Sequence, residues 1–123
     1  MTAARRRTPE LLAPAGDLER LESALRYGAD AVYLGRDSFS MRAAAGNFHS
    51  AQQLGEAVAL AHAAGKKVYL TCNTLPRNEE IPQFDAFLQE AVEAGADALI
   101  LADLGLLYST VSLIELGAAA ALL

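Results

Sequence analysis

The residues best suited to chemistry follow short apolar runs. Gly16 and Asp17 come after Leu11-Leu12-Ala13-Pro14, and Arg36-Asp37 after Ala31-Val32-Tyr33-Leu34-Gly35. Asn73 follows Val68-Tyr69-Leu70-Thr71-Cys72, and Asp103 follows Ala98-Leu99-Ile100-Leu101. A loop from Arg36 to His49 adds Arg42, Asn47 and His49. Arg42 offers a planar fork for a carboxylate or phosphate, or it is simply a solvated loop arginine. Asn73 suits a substrate hydrogen bond and equally suits a turn. Asp17 fits a helix N-cap or an acid, and Gly16 fits a tight turn or an amide cradle for an anion. Asp103 is open to the roles of acid, metal ligand or cap. Cys72 reads as a core thiol, because no histidine is tied to it by local spacing. His49 is a candidate for proton transfer.

Several signatures are missing. The sequence holds no His-Glu-x-x-His helix, no Gly-x-Ser-x-Gly elbow, no Walker loop and no dinucleotide Gly-x-Gly-x-x-Gly. Its single cysteine excludes an internal disulfide and any multi-cysteine metal site built from this chain alone, and it suits the cytosol. A net charge of −5 argues against a general nucleic-acid binder but permits a local basic pocket. Arg5-Arg6-Arg7 is followed by Thr8-Pro9-Glu10 rather than an apolar run, so no secretory signal is expected. Leu106 to Leu123 is nearly uncharged, but Glu115 near its centre would cost about 3 kcal/mol in lipid, and Gly117 interrupts it. No membrane span is expected.

These residues must be positioned by a repeat. Tyr27-Gly28-Ala29-Asp30-Ala31, Ala64-Gly65-Lys66-Lys67-Val68 and Ala94-Gly95-Ala96-Asp97-Ala98 each close a helical pattern with glycine and open an apolar run. The runs are too continuous for strands with one wet face, and they predict parallel strands covered on both sides. Helices are expected behind Asp17 (Leu18, Leu21, Leu25), behind the Ser50-Ala-Gln-Gln53 capping box (Leu54, Ala57, Val58, Ala61), and around Pro82 (Phe84, Phe87, Leu88, Ala91, Val92). Strands beginning near 11, 31, 68 and 98 are separated by 20, 37 and 30 residues, the lengths of βα units. The fold class is therefore α/β, with four parallel strands alternating with helices. Either an open doubly wound sheet or about half of a TIM-like (β/α)8 barrel satisfies this order.

At this point a family resemblance appears. Pro9-Glu-Leu-Leu-Ala-Pro-Ala-Gly16-Asp17, Tyr27-Gly-Ala-Asp-Ala-Val-Tyr-Leu-Gly35 and Phe39-Ser-Met-Arg42-Ala-Ala-Ala-Gly-Asn47-Phe48 resemble the collagenase-like peptidase family, peptidase family U32. Gly65-Lys-Lys-Val-Tyr69, Asn73-Thr-Leu-Pro-Arg-Asn-Glu79, Gly95-Ala-Asp-Ala-Leu-Ile100 and Asp103-Leu-Gly105 continue the match in family order. The resemblance covers residues 9–105 and implies a barrel-type N-terminal domain. It also implies one of two activities. Some members are described as collagenase-like peptidases. Others act in oxygen-independent hydroxylation of a tRNA wobble uridine, an rRNA cytidine or the ubiquinone ring, and the RNA-modifying ones draw on prephenate. Those hydroxylation proteins carry an iron–sulfur cluster on four cysteines further along the chain, to which Cys72 does not correspond.

The resulting expectations are specific. Residues 1–8 form a flexible basic tail, 9–105 a (β/α)4 half-barrel, and 106–123 a divergent apolar helix or tail. The chain is expected to be a cytoplasmic, truncated N-terminal half that supplies a substrate-binding rim of Gly16, Asp17, Arg42, Asn47, Asn73 and Asp103. It would bind no cofactor alone, with RNA or a small molecule as partner. A collagenase-like peptidase is the first alternative. The second is a non-catalytic half-barrel that self-associates through an unpaired fourth-strand edge.

Overall fold

The computed structural model describes residues 8–37, 48–74 and 77–106, together with the backbone of 119–122. The chain runs β1 (Leu12–Pro14), α1 (Leu18–Arg26), β2 (Ala31–Gly35), α2 (Ala51–Ala63), β3 (Lys67–Cys72), a 3-10 turn (Asn78–Glu80), α3 (Ile81–Ala94), β4 (Ala98–Leu101) and β5 (Ala119–Leu122). The helix starts follow local chemistry. Ser50 Oγ accepts the Gln53 amide at 3.1 Å, while the Gln53 side chain takes the His49 N–H at 2.8 Å. Pro82 occupies the first turn of α3, where its missing N–H costs no hydrogen bond.

Order within the sheet decides between the two architectures. All five strands are parallel and lie side by side in chain order. A doubly wound sheet must reverse that order at a switch point, and this one does not. Right-handed crossovers repeated in one direction place every helix on the same face. Accordingly α1 packs on α2 and α2 on α3. This is the single winding of half a (β/α) barrel.

The core lies between that sheet face and the helices. Val32 stands beside Val68, and Leu34, Leu70 and Leu99 form one row across three strands. Cys72 and Leu101 form the next row, and all seven are buried against Leu54, Val58, Phe84 and Leu88. Side chains at the alternate positions point to the other face, where Tyr33, Tyr69 and Ala98 share a row and are only half-buried. The strands were expected to be covered on both sides. Among the described residues the helices cover one side, because single winding sends none to the other. Leu18, expected in the buried stripe of α1, is 46% exposed, since α1 lies over the edge strand and buries only Leu21 fully.

The C-terminal expectation needs correction. Residues 106–123 were read as a helix or tail, but 119–122 form a strand paired parallel to β4, Ala98 opposite Ala119 through Leu101 opposite Leu122. Alanine favours helix by only a fraction of a kcal/mol per residue, whereas the open edge of β4 offers a row of backbone donors and acceptors. The fourth strand's edge is therefore paired, and the outer edge of the sheet on that side is that of β5. Residues 1–7 of the expected basic tail lie outside the described residues.

The Gly-Ala-Asp repeat is a structural clasp. Gly95 adopts φ +84°, a left-handed conformation that closes α3 without a Cβ penalty, and Gly28 and Gly65 share the positive sign. After Gly95, the Asp97 amide donates to the Val68 carbonyl at 2.9 Å, and the Asp97 carboxylate accepts the Val68 amide at 2.8 Å. Asp30 repeats the pattern on Leu11, its amide donating at 2.9 Å and its carboxylate accepting at 2.8 Å. Each aspartate thus ties a new strand to its predecessor at the N-terminal end of the sheet. The second repeat has Lys67 in that position, and its amide donates to the Asp30 carbonyl at 3.3 Å. His62 joins the clasp, with Nε2 2.8 Å from Asp97 Oδ2. Asp97→Ala leaves the buried Val68 amide without its acceptor and should cost about 1–3 kcal/mol, while Asp97→Asn, which keeps an acceptor, should cost less. Urea unfolding checks both, and equal losses would contradict the clasp.

Candidate functional site at the strand ends

Parallel strands in register bring all their C-terminal ends to one rim, where α/β folds collect ligands. Gly16, Asp17, Asn73 and Asp103 all lie along it. Arg42 and Asn47 fall outside the described residues. The two acids have structural duties. Asp17 Oδ1 accepts the Arg20 amide at 2.8 Å as the cap of α1. Asp103 Oδ1 accepts the Leu106 amide at 2.9 Å, capping the helical turn at 104–106. Gly105 makes room for that cap, because a Cβ there would lie 3.0 Å from Asp103 Oδ1. Gly16 forms the half-buried turn ahead of the Asp17 cap, and Asn73 is half-buried immediately beyond β3.

The strongest electrostatic feature of the rim was not anticipated. Arg36, the first residue after β2, reaches Glu90 on α3 through two bonds, Nε to Oε2 at 2.7 Å and Nη2 to Oε1 at 3.1 Å. Its Nη1 donates to Asp37 Oδ1 at 2.9 Å and to the Phe48 carbonyl at 3.1 Å. The hydrogen bond to Glu90 raises the Arg36 pKa, against an opposing effect of burial. With its fork occupied, Arg36 is a brace rather than a free anion clamp. A parallel bridge joins Arg36 and Phe48, with the Phe48 amide on the Gly35 carbonyl at 3.0 Å. His49 then lies with Nδ1 3.4 Å from Asp37 Oδ2. No local spacing links Arg36 to Glu90, 54 residues away, so only the fold reveals the brace.

Cys72 is wholly buried, and desolvation followed by the nearby Asp103 charge pushes its thiol up to about 12. A nucleophilic thiol needs the opposite shift, so the core-residue reading stands. Among the described residues no group of three or more His, Cys, Asp or Glu could hold a metal ion. One cysteine cannot supply four thiolates either, so the chain's residues do not fit an iron–sulfur cluster of the kind that the resemblance implies. Also among the described residues, no helix is long and apolar enough to cross a membrane.

The family model described as Peptidase family U32 matches residues 16–117. The chain belongs to that family. As a U32 chain it is 46% identical over 100 residues to the tRNA hydroxylation protein P of Escherichia coli, covering 80% of this chain and 22% of the relative. It is 38% identical over 109 residues to the 23S rRNA 5-hydroxycytidine synthase of the same organism, covering 89% and 16%. It is 34% identical over 94 residues to a collagenase of Porphyromonas gingivalis, covering 76% and 23%. The chain thus spans about a fifth of the length of the curated relatives it matches. Its fold is that of the solved U32 peptidase Mk0906, with a TM-score of 0.69 at 11% identity, covering 99% of this chain and 50% of that one.

The buried thiol makes two outcomes expected. Ellman's reagent should leave Cys72 of the native chain unmodified and titrate it fully after unfolding. Because the folded thiol ionises near 12 rather than near 9, its contribution to stability is complete below pH about 9 and is lost as pH rises toward 12. Tyr69, raised to about 12 chiefly by donating its hydroxyl to Glu10 at 2.7 Å, adds to the fall above pH about 10. Cys72→Ala should flatten the first part of that decline in denaturation measured from pH 8 to pH 11. Rapid native modification, or a decline unaltered in the variant, would contradict the assignment.

Proposed function

We propose that this U32 chain is the substrate-side N-terminal unit of an RNA-base hydroxylation protein. The unit is residues 9–105, built as half of a barrel. By family resemblance the reaction is oxygen-independent and prephenate-dependent, on a tRNA wobble uridine or an rRNA cytidine in the cytoplasm. The observation that carries this reading is the 46% identity to a tRNA hydroxylation protein over 80% of the chain. The buried, protonated Cys72 favours it over a cysteine peptidase.

The division of labour follows from the rim. Asp17 and Asp103 shape its turns as caps. Asn73 supplies a hydrogen bond to the substrate, and Arg42 and Asn47 contribute further polar groups to its binding. Gly16 leaves room at the first strand end. An iron–sulfur cluster, where the reaction needs one, is held by cysteines outside this chain. A net charge of −5 suits a partner gripped at one local site rather than along a basic face.

A segment swap tests the proposal. Residues 9–105 should replace the matching segment of the E. coli tRNA hydroxylation protein P, in cells lacking their own copy, and restore the hydroxylated nucleoside seen by mass spectrometry of tRNA. Asn73→Ala in the swapped protein should lower the yield roughly threefold to tenfold, the worth of one hydrogen bond. A soluble, well-expressed chimaera with no hydroxylated nucleoside would overturn the reading.

A further inference from the structure

We propose that His49, aligned by Asp37, is the proton-transfer group of the rim, an inference that rests on reading the rim as the ligand side. Three observations converge on it. The backbone of His49 is held firmly, between the Arg36–Phe48 bridge and the Ser50 cap of α2, with its own amide on Gln53 Oε1 at 2.8 Å. Its ring is oriented, because Nδ1 lies 3.4 Å from Asp37 Oδ2 while Asp37 Oδ1 is held by Arg36. Arg36 is in turn clamped to Glu90, which balances its charge and leaves the Asp37 carboxylate to face the imidazole. Finally, the ring is 62% exposed, and Nε2 has no partner among the described residues.

The other histidine makes the contrast plain. His62 spends its Nε2 on Asp97 at the opposite end of the sheet, inside the strand clasp. His49 instead anchors Nδ1 and presents Nε2, the orientation that a carboxylate imposes on an acid–base histidine. The step is a simple transfer. A ligand imide N–H or hydroxyl O–H gives its proton to Nε2, the Nδ1 proton stays on the ring toward Asp37, and the carboxylate balances the imidazolium. The reverse step returns the proton, and no electrons change hands. Asp37 is a positioning residue, acting on the ligand only through the ring.

The test uses the full chain. Nitrogen-15 long-range correlation spectra should show neutral His49 mainly protonated at Nδ1, and Asp37→Ala should abolish that preference. Diethyl pyrocarbonate should acylate His49 faster than His62, and Asp37→Ala should slow His49 several-fold. Asp37→Asn, which keeps an acceptor, guards against loss of fold and should give an intermediate rate. Protonation of His49 mainly at Nε2, or a rate indifferent to both variants, would overturn the proposal. Added total tRNA separates the two readings. If tRNA binds and shields His49, both stand. If it binds and leaves His49 equally reactive, the proton-transfer role fails while the RNA reading survives. If no tRNA binds although the Nδ1 preference is present, the RNA reading fails and the oriented histidine stands.

Discussion

Chain-order pairing of parallel strands is the constraint on which everything else depends. Because β1 to β5 lie side by side in the order they are made, each crossover repeats the previous one. The helices then share a face, and the strand C-termini share a rim. The pairing is held by the rows Val32–Val68, Leu34–Leu70–Leu99 and Cys72–Leu101, which lie against α2 and α3. Each such side chain, fully buried, contributes about 1.5–3 kcal/mol, and a shift of one residue would turn every one of them to the wrong face. The register of β2, β3 and β4 therefore places the rim residues relative to one another before any polar contact is made.

The two ends of the sheet use their charged residues differently. At the N-terminal end, Asp30 and Asp97 are absorbed in strand-to-strand clasps, and His62 is bound into one of them. At the C-terminal end, Asp17 and Asp103 cap helical turns, and Asp37 is shared between Arg36 and His49. Asymmetry of this kind is expected where one end of a (β/α) fold serves stability and the other meets ligands. The Arg36–Glu90 brace serves both purposes. It ties β2 to α3 across the intervening unit and fixes the carboxylate that orients His49.

Much of this was legible in the residues. The strand runs, the helix caps at Asp17 and Ser50, Pro82 in the first turn of α3 and the terminating glycines all follow local rules, and local rules are what a sequence displays. The βα order could be read, but the choice between single and double winding could not, because it depends on which strand each run meets. The strand at 119–122 was missed for a related reason, since an alanine-rich stretch extends only where a neighbouring edge is waiting. The site was legible in part. Asp17 and Asp103 were recognised as rim residues, and their capping duty was among the alternatives left open. The brace was invisible, because Arg36 and Glu90 are joined by tertiary structure alone. The Gly-Ala-Asp motif was seen as a repeat, but its aspartate acts on a strand 19 to 29 residues earlier, a partner no local pattern identifies.

Membership of family U32 links this fold to relatives named for RNA hydroxylation and for proteolysis, and the chain spans about a fifth of their length. The proposal gives such a unit the role of an oriented rim on the substrate side. Hydrogen–deuterium exchange of the chain, with and without total tRNA, tests that claim most directly. Slowed exchange is predicted at the strand ends 14–17, 36–37, 48–49, 72–74 and 102–103, with none at the opposite turns 27–30, 64–67 and 95–97. Protection confined to those opposite turns, with the strand ends unchanged, would contradict the account.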